Sequence, residues 1–425
     1  MERQEAVAPV ITPAFLKRTG RAAEYAMLMG CVAFCWFGVT VPSPFLLPYA
    51  IDKDIPAPTA GTLFAMQPFA VVLVQPCVPF IGDRLGYRRA VGLGLLLGSL
   101  AMAVCAFAPT LAPEGGSQLF SILLVAAFLA GVGEGVVETC TFAILQQVFP
   151  DVKGQVVGHA EAWIGIGTIA GPAFGGAMFA AGGFVFPMVF TCITMLFLGV
   201  CSLLRAHRVA SQETHGDLGT PLMDKGSSQG DSTRSPDGLI FVTVALGNVL
   251  GGAICGGFSA IVSDYYIDEY GWSTAVTGII FGGFGVCYMV SAMCAGVICD
   301  RGPTHGRIVF CIGFFLSAAA LLVAAWPSPV VSVLGVHVVG AGTGLIMVPV
   351  LGLLSQSSKD GSSDGCTASV YNAGYAFGLG TGPLLVVPLF NVWGFQQTSI
   401  FMAIVVIVLS LVVTFVICAR APSSK

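Results

Sequence analysis

The chain is 425 residues long, 56% hydrophobic and only 9% charged, with a formal net charge of -4 at pH 7. So little charge cannot cover the surface of a water-soluble domain of this size, and no basic excess is present to bind nucleic acid. The 55 glycines fit close helix packing in a membrane, and the 14 cysteines fall mostly in apolar runs without metal-ligand spacing, where they act as small hydrophobes.

A hydrocarbon core of ~30 Å takes ~20 residues of apolar helix. In chain order the sequence offers twelve such stretches: 25–50, 58–81, 89–112, 117–148, 154–181, 183–204, 239–262, 275–299, 307–326, 328–355, 365–390 and 396–419. The first 24 residues are polar and lead straight into a full-length apolar span, unlike a cleavable signal peptide. The expectation is an all-α integral membrane protein of twelve transmembrane helices in two pseudo-symmetric bundles. Residues 1–24 form a tail, 25–204 one six-helix bundle, 205–238 a linker, 239–419 the second bundle and 420–425 a second tail. The linker is rich in Ser, Gly, Asp and Thr, has no apolar periodicity, and reads as disordered.

The basic residues orient the spans. Arg3, Lys17, Arg18 and Arg21 precede the first; Arg84, Arg88 and Arg89 follow the second; Lys153 follows the fourth. Arg205, Arg208, Lys225 and Arg234 lie in the linker, Arg301 and Arg307 after the eighth span, Lys359 after the tenth, and Arg420 and Lys425 at the end. With both termini inside, Lys53 alone of the 18 Lys and Arg falls on the opposite side. That asymmetry predicts cytoplasmic termini.

The fifth span carries GHAEAWIGIGTIAGPAFGG, from Gly158 to Gly176. Gly167, Gly171 and Gly175 recur at four-residue spacing, which lets two helix backbones approach closely in lipid. Pro172 removes one backbone donor and is expected to bend the helix. The pattern recurs late in the second half as Gly374, Gly378, Gly382 and Pro383. Two more features repeat between the halves at one common offset: Gly61 with Gly278, and Asp83-Arg84 with Asp300-Arg301. A duplicated six-helix unit is a transporter signature.

On these motifs the chain resembles the major facilitator superfamily. GDRLGYRR at Gly82–Arg89 looks like that superfamily's loop motif, with Pro79 where its leading glycine usually stands; the second copy keeps Gly296. Gly158–Gly176 matches the antiporter motif at every glycine and at Pro172. Among antiporters the chain is most similar to the vesicular amine transporter family, especially its polyamine branch, in PSPFLLPYA, in TAGTLFAMQPFAVVLVQP and in Glu161-Ala162 leading into the glycine motif. The resemblance implies that Asp83, Arg84, Arg88 and Arg89, with Asp300 and Arg301, close a cytoplasmic gate. Simple topology signalling is the bland alternative. It also implies a monomer. Related antiporters carry an Arg on the fourth helix, four residues before a glycine; here that position is Ala127.

Three carboxylates fall at membrane depth, Glu134 and Glu138 on the fourth span and Glu161 on the fifth. A charge there costs a few kcal/mol, so an ionisable group is by default a functional candidate. Glu134 and Glu138 are four apart and share a helix face. From the turn at Asp151, Glu161 lies ~12 Å and Glu138 ~16 Å into the membrane at ~1.5 Å per residue, so all three are expected to line one cavity. Carboxylates crowded in a medium of low dielectric compete for a proton, and the natural counter-ion is a cationic cargo. A protonated, hydrogen-bonded structural glutamate is the alternative. Trp36, Tyr288, Tyr371 and Tyr375 are candidates for an aromatic wall against the cation, or for packing. Asn248, Asn372, Gln67 and Gln75 are polar at the same depth and suit either ligand contact or interhelical bonding. His337 reads as a packed neutral histidine or a proton group.

The reading is proton-coupled antiport of an organic cation, a polyamine or monoamine, in a vesicular, vacuolar or plasma membrane. The partners expected are the cation, protons and lipid, with no cofactor and no metal. A drug-like cation or a neutral or anionic metabolite is the alternative cargo, and a non-transporting sensor or scaffold the alternative class. No Walker loop, HExxH or GxSxG occurs, so no enzymatic activity is expected.

Overall fold

The computed structural model describes residues 9–215, 237–358 and 364–420. Arg3, Lys225, Arg234, Lys359 and Lys425, the linker residues Leu222 and Asp224, and most of the expected linker lie outside the described residues. We number the spanning helices α1 (Ala22–Thr40), α2 (Ala57–Val74, continued through a 3-10 turn at Gln75–Cys77 into Val78–Leu85), α3 (Tyr87–Leu111), α4 (Gly116–Val148), α5 (Lys153–Gly182) and α6 (Val185–His215). The second set begins with α7 (Gly238–Tyr270), α8 (Thr274–Cys299), α9 (Pro303–Ala324) and α10 (Pro329–Ser357).

Among the described residues eleven helices are long and apolar enough to cross a bilayer. The last, Asp364–Ala419, has 56 residues, about 84 Å at the standard rise and far more than one crossing needs. Gly394, at φ 76° and ψ 177°, breaks it into two arms, α11 (364–393) and α12 (395–419). Glycine alone reaches that backbone conformation without penalty. The chain is therefore a multi-pass membrane protein of twelve crossings. Phe197, Leu246, Val330 and Phe415 are exposed on its flank, where lipid replaces water.

Several features differ from the expectation. The first span stops at Thr40, because Pro42 and Pro44 cannot continue it; a short helix, Leu46–Asp52, follows. Pro76 tightens α2 into its 3-10 turn. The sixth helix runs on to His215, so Arg205 and Arg208 lie on helix rather than in a linker. α7 continues to Tyr270, where Gly271 caps it in the left-handed conformation at φ 64°. α5 and α11 run unbroken through Pro172 and Pro383.

The two sets of six pack in one pattern. α1 lies on α5, α2 on α4, and α3 on α4 and α6; in step, α7 lies on α11, α8 on α10, and α9 on α10 and the last helix. Between the sets, α5 meets α8 and α10, while α11 meets α2 and α4.

The glycine motifs explain the closest pairs. Gly167 stands against the Ala33 carbonyl of α1, Gly171 against the Phe37 carbonyl and Thr40, and Gly175 against the Val41 carbonyl; none leaves room for a Cβ. In the second set Gly378 stands against the Val249 carbonyl and Gly382 against the Ala253 carbonyl. There the facing helix contributes glycines as well, Gly252 against the Tyr375 carbonyl and Gly256 against that of Leu379. Gly158 faces the other way, onto Ala292 of α8, while Gly176 meets only the edge of the Pro44 ring. Without a hydrophobic drive between helices in lipid, such backbone contact supplies much of the association.

Candidate functional site

A polar network lies where α4, α5, α8 and α11 meet. Its centre is Glu161, 4% exposed, on the face of α5 that turns toward the second set. Tyr288 of α8 donates its hydroxyl to Glu161 Oε2 at 2.6 Å, and Tyr371 of α11 donates its own to Oε1. A carboxylate from one half thus accepts from two phenols of the other. Tyr371 is held in turn: Asn248 Nδ2 donates to its backbone carbonyl at 2.6 Å, and Phe142 of α4 meets its ring edge-on at 5.4 Å. Tyr375, one turn along, pairs with Cys255 of α7 and lies within electrostatic reach of Glu161 and Glu138.

Glu138 is 5% exposed and lies within electrostatic reach of both Glu134 and Glu161. Among the described residues it has no hydrogen-bond partner and no counter-ion. The next residue, Thr139, forms a second bridge between the halves: it accepts from Asn372 Nδ2 at 2.7 Å and donates to Gln75 Oε1 at 2.8 Å.

Glu134 is placed differently from the expected shared cavity. It accepts from Gln67 Nε2 of α2 at 2.5 Å. It lines a space of about 10 Å³ inside the first bundle, with Cys35, Gly98 and Met195, room for about one water. One turn of helix separates it from Glu138 by about 6 Å in height and about 40° in direction, and the two remain within electrostatic reach of each other. Trp36 is buried on α1 with its indole N–H unpartnered. His337 packs against Gly283 of α8.

The end of the molecule that carries the basic residues is closed between the halves. Asp300, at the C-terminus of α8, accepts from the backbone N–H of Gly154 at 2.6 Å and of Gln155 at 3.0 Å, and from Gln155 Nε2 at 3.0 Å. These are the free donors of the first turn of α5, where the helix dipole also favours an anion. Burial pushes the Asp300 carboxyl up from its ordinary value, and the three hydrogen bonds oppose that rise. Gly154 and Gly296 touch backbone to backbone beside it. Gln155 also holds the N-terminal segment, accepting from Ile11 N at 2.9 Å and donating to the Pro9 carbonyl at 2.9 Å. Beside this junction a cavity of about 170 Å³ is lined by Gln146, Lys153, Asp300 and Gln356.

The first-half copy is built otherwise. Asp83 accepts from Tyr87 at 3.0 Å, one turn along its own segment, and it is Tyr87 that crosses to α11, against Gly365. Arg84 lies over the Phe80 ring at 4.1 Å, and Arg88 pairs with Glu24 at 2.7 Å. Arg301 is exposed.

Sequence reasoning passed over Thr139, Gln155 and Cys255. Adjacency to Glu138 was a usable signal for Thr139. Gln155 and Cys255 carry none, because their partners are remote in the chain.

Comparison with known proteins fits this architecture. The family model described as Major Facilitator Superfamily matches residues 28–225 and 244–425. The MFS-type transporter SLC18B1 of Mus musculus is 26% identical over 290 residues, 64% of this chain and 60% of the relative. The probable vesicular acetylcholine transporter-B of Danio rerio is 29% identical over 175 residues, 40% of this chain and 33% of the relative. The chain thus spans less than two thirds of the length of either. Among solved structures, the human organic anion transporter MFSD10 (TETRAN) superimposes with a TM-score of 0.69 at 17% identity, over 92% of this chain and 98% of that one, a likeness of fold.

Proposed function

The chain belongs to the Major Facilitator Superfamily, and on that footing we propose that it exchanges an organic cation, a polyamine or a monoamine, for protons by alternating access. The observation that carries this is Glu138, a buried carboxylate with no counter-ion, beside a second buried carboxylate, Glu161. Lys and Arg on the described helices sit near one end of the bundle, so among the described residues no fixed cation neutralises the pair. An ammonium does so, and so does a proton, and the two compete. The tyrosines Tyr371 and Tyr375 add π faces suited to a cation. Acetylcholine, the cargo in the printed name of the Danio rerio relative, is an organic cation, a quaternary ammonium, which supports the same broad class.

In this reading the basic end is cytosolic, by the asymmetry of Lys and Arg. The geometry described above is then the cytosol-closed state, with Asp300 on the first turn of α5 as its gate. The cargo is taken up in the cytosol-open state and exchanged for protons on the far side, into a vesicle or out of the cell. The protein works as a monomer, because each half completes the other's site.

The test is uptake into proteoliposomes with an inside-acid gradient, offering labelled spermidine, dopamine and an anionic metabolite in competition. We expect one of the amines to accumulate and the anion not to compete. Glu138→Gln removes the charge and keeps the shape, and should lower uptake by about 100-fold or more, the scale of a buried charge left unpaired. Full uptake by that variant, or accumulation of the anion, sinks the proposal.

A further inference from the structure

We infer that the two central carboxylates divide the work, with Glu138 receiving the cargo and Glu161 acting with Tyr288 and Tyr371 as a proton-operated latch between the halves. This deepens the proposed function and rests on it for the identity of the cargo; the latch itself is testable without any cargo.

Three observations carry it. The first is which helices the partners come from. Both hydroxyls on Glu161 belong to the second half, on α8 and α11, whereas Glu161 belongs to α5 of the first. No rigid-body separation of the halves at the basic end leaves those two bonds intact. The second is where α5 and α8 touch. Contacts run from Gly154 against Gly296, through Gly158 against Ala292, to Ile169 against Gly285. The Glu161–Tyr288 bond lies within that seam, so it closes the same interface that Asp300 closes at its end. The third is the contrast with Glu138, equally buried and without a partner.

The chemistry follows from donors and acceptors. A tyrosine hydroxyl donates, and an ionised carboxylate offers two acceptor oxygens, so the two phenols give each oxygen one charge-assisted bond. A proton from the solvent on the non-cytosolic side, added to Glu161, turns one oxygen into an O–H donor and removes the charge. One phenol then faces a donor and both bonds become neutral. The seam loosens, the basic end opens, and Glu161 returns its proton to the cytosol. The groups that face Glu161 are Glu138 from α4, Tyr288 from α8, Tyr371 and Tyr375 from α11 and Cys255 from α7. His159, two residues earlier on α5, turns instead to the Tyr25 hydroxyl at 2.7 Å.

The experiment measures the opening of the basic end directly. Spin labels on non-canonical residues replace Asp151 and Thr304, exposed sites on opposite halves, in the full chain in nanodiscs without cargo. Wild type is expected to give a single short distance at pH 7.5 and a long one at pH 5.5. Glu161→Gln should show the long distance at both. Tyr288→Phe with Tyr371→Phe, which keeps the rings, should populate the long distance at pH 7.5 at least fivefold above wild type. The latch is overturned if Glu161→Gln still switches with pH as wild type does, or if the phenylalanine variant stays closed at pH 7.5. Absence of amine uptake by wild type would instead remove the proposed function, leaving the distance result to judge the latch alone.

Discussion

α5 and α11 hold equivalent places in their halves, and each turns a glycine face to the first helix of its own bundle. They differ in what they carry beside that face. α5 brings a carboxylate, Glu161, and α11 brings hydroxyls, Tyr371 and Tyr375. Their glycine partners differ too. α7 answers α11 with glycines of its own, Gly252 and Gly256, whereas α1 answers α5 with Ala33, Phe37 and Thr40. The loops at the basic end repeat the contrast. Asp300 reaches across to the backbone of α5, while Asp83 stays on its own segment and sends Tyr87 instead. Duplication conserved the packing frame, and the chemistry diverged on it. A charge met by a charge would repel; a charge met by phenols is held.

The comparison can be broken most severely at the glycines. Gly256→Ala should cost about 3 kcal/mol by overpacking two backbones already in contact. Ala33→Gly, in the corresponding seam of the first half, should cost only helix propensity, about 1 kcal/mol. Thermal denaturation in detergent measures both, and equal losses would show that the seams are packed alike. Next in size are the loop aspartates. Asp300→Ala removes three hydrogen bonds to a charged acceptor and should destabilise by about 2–3 kcal/mol, against about 1 kcal/mol for Asp83→Ala. The same melts, read with the spin-label pair, should show opening at the basic end for Asp300→Ala alone. The reverse order would mean that the first-half loop is the main gate. A single change with no counterpart in the other half, Thr139→Val, cuts the Gln75–Thr139–Asn372 chain and should cost about 1 kcal/mol. Its KM for the amine should move less than threefold; a change as large as that of Glu138→Gln would make Thr139 a cargo ligand instead of a brace.

Much of the frame was legible in the residues. Span length and the pairing of Gly167 with Gly171 and of Gly378 with Gly382 are local patterns, and they led to twelve crossings and to the tight helix pairs. The long reach of α6 and the break after Thr40 were missed at the margins, where prolines and polar helix ends outweigh mean hydropathy. At the site, all three glutamates could be named from their depth, yet their roles could not be separated. Glu134 and Glu138 share a face by spacing and stay within electrostatic reach of each other, but only the first finds a hydrogen-bond partner, Gln67 inside its own bundle, while the second is also within reach of Glu161. Tyr371 lies 210 residues from the carboxylate it holds, and Tyr288 lies 127 away.

The sequence by itself determined that this chain lives in a bilayer, crosses it in two repeated sets, and carries acids but no Lys or Arg at depth, since each of these depends on the transfer free energy of a short stretch. Only the tertiary structure decided which acid is partnered and which is left open. That choice depends on how far each helix is rotated about its axis against a neighbour from the other half, and backbone contact at the glycines sets that rotation.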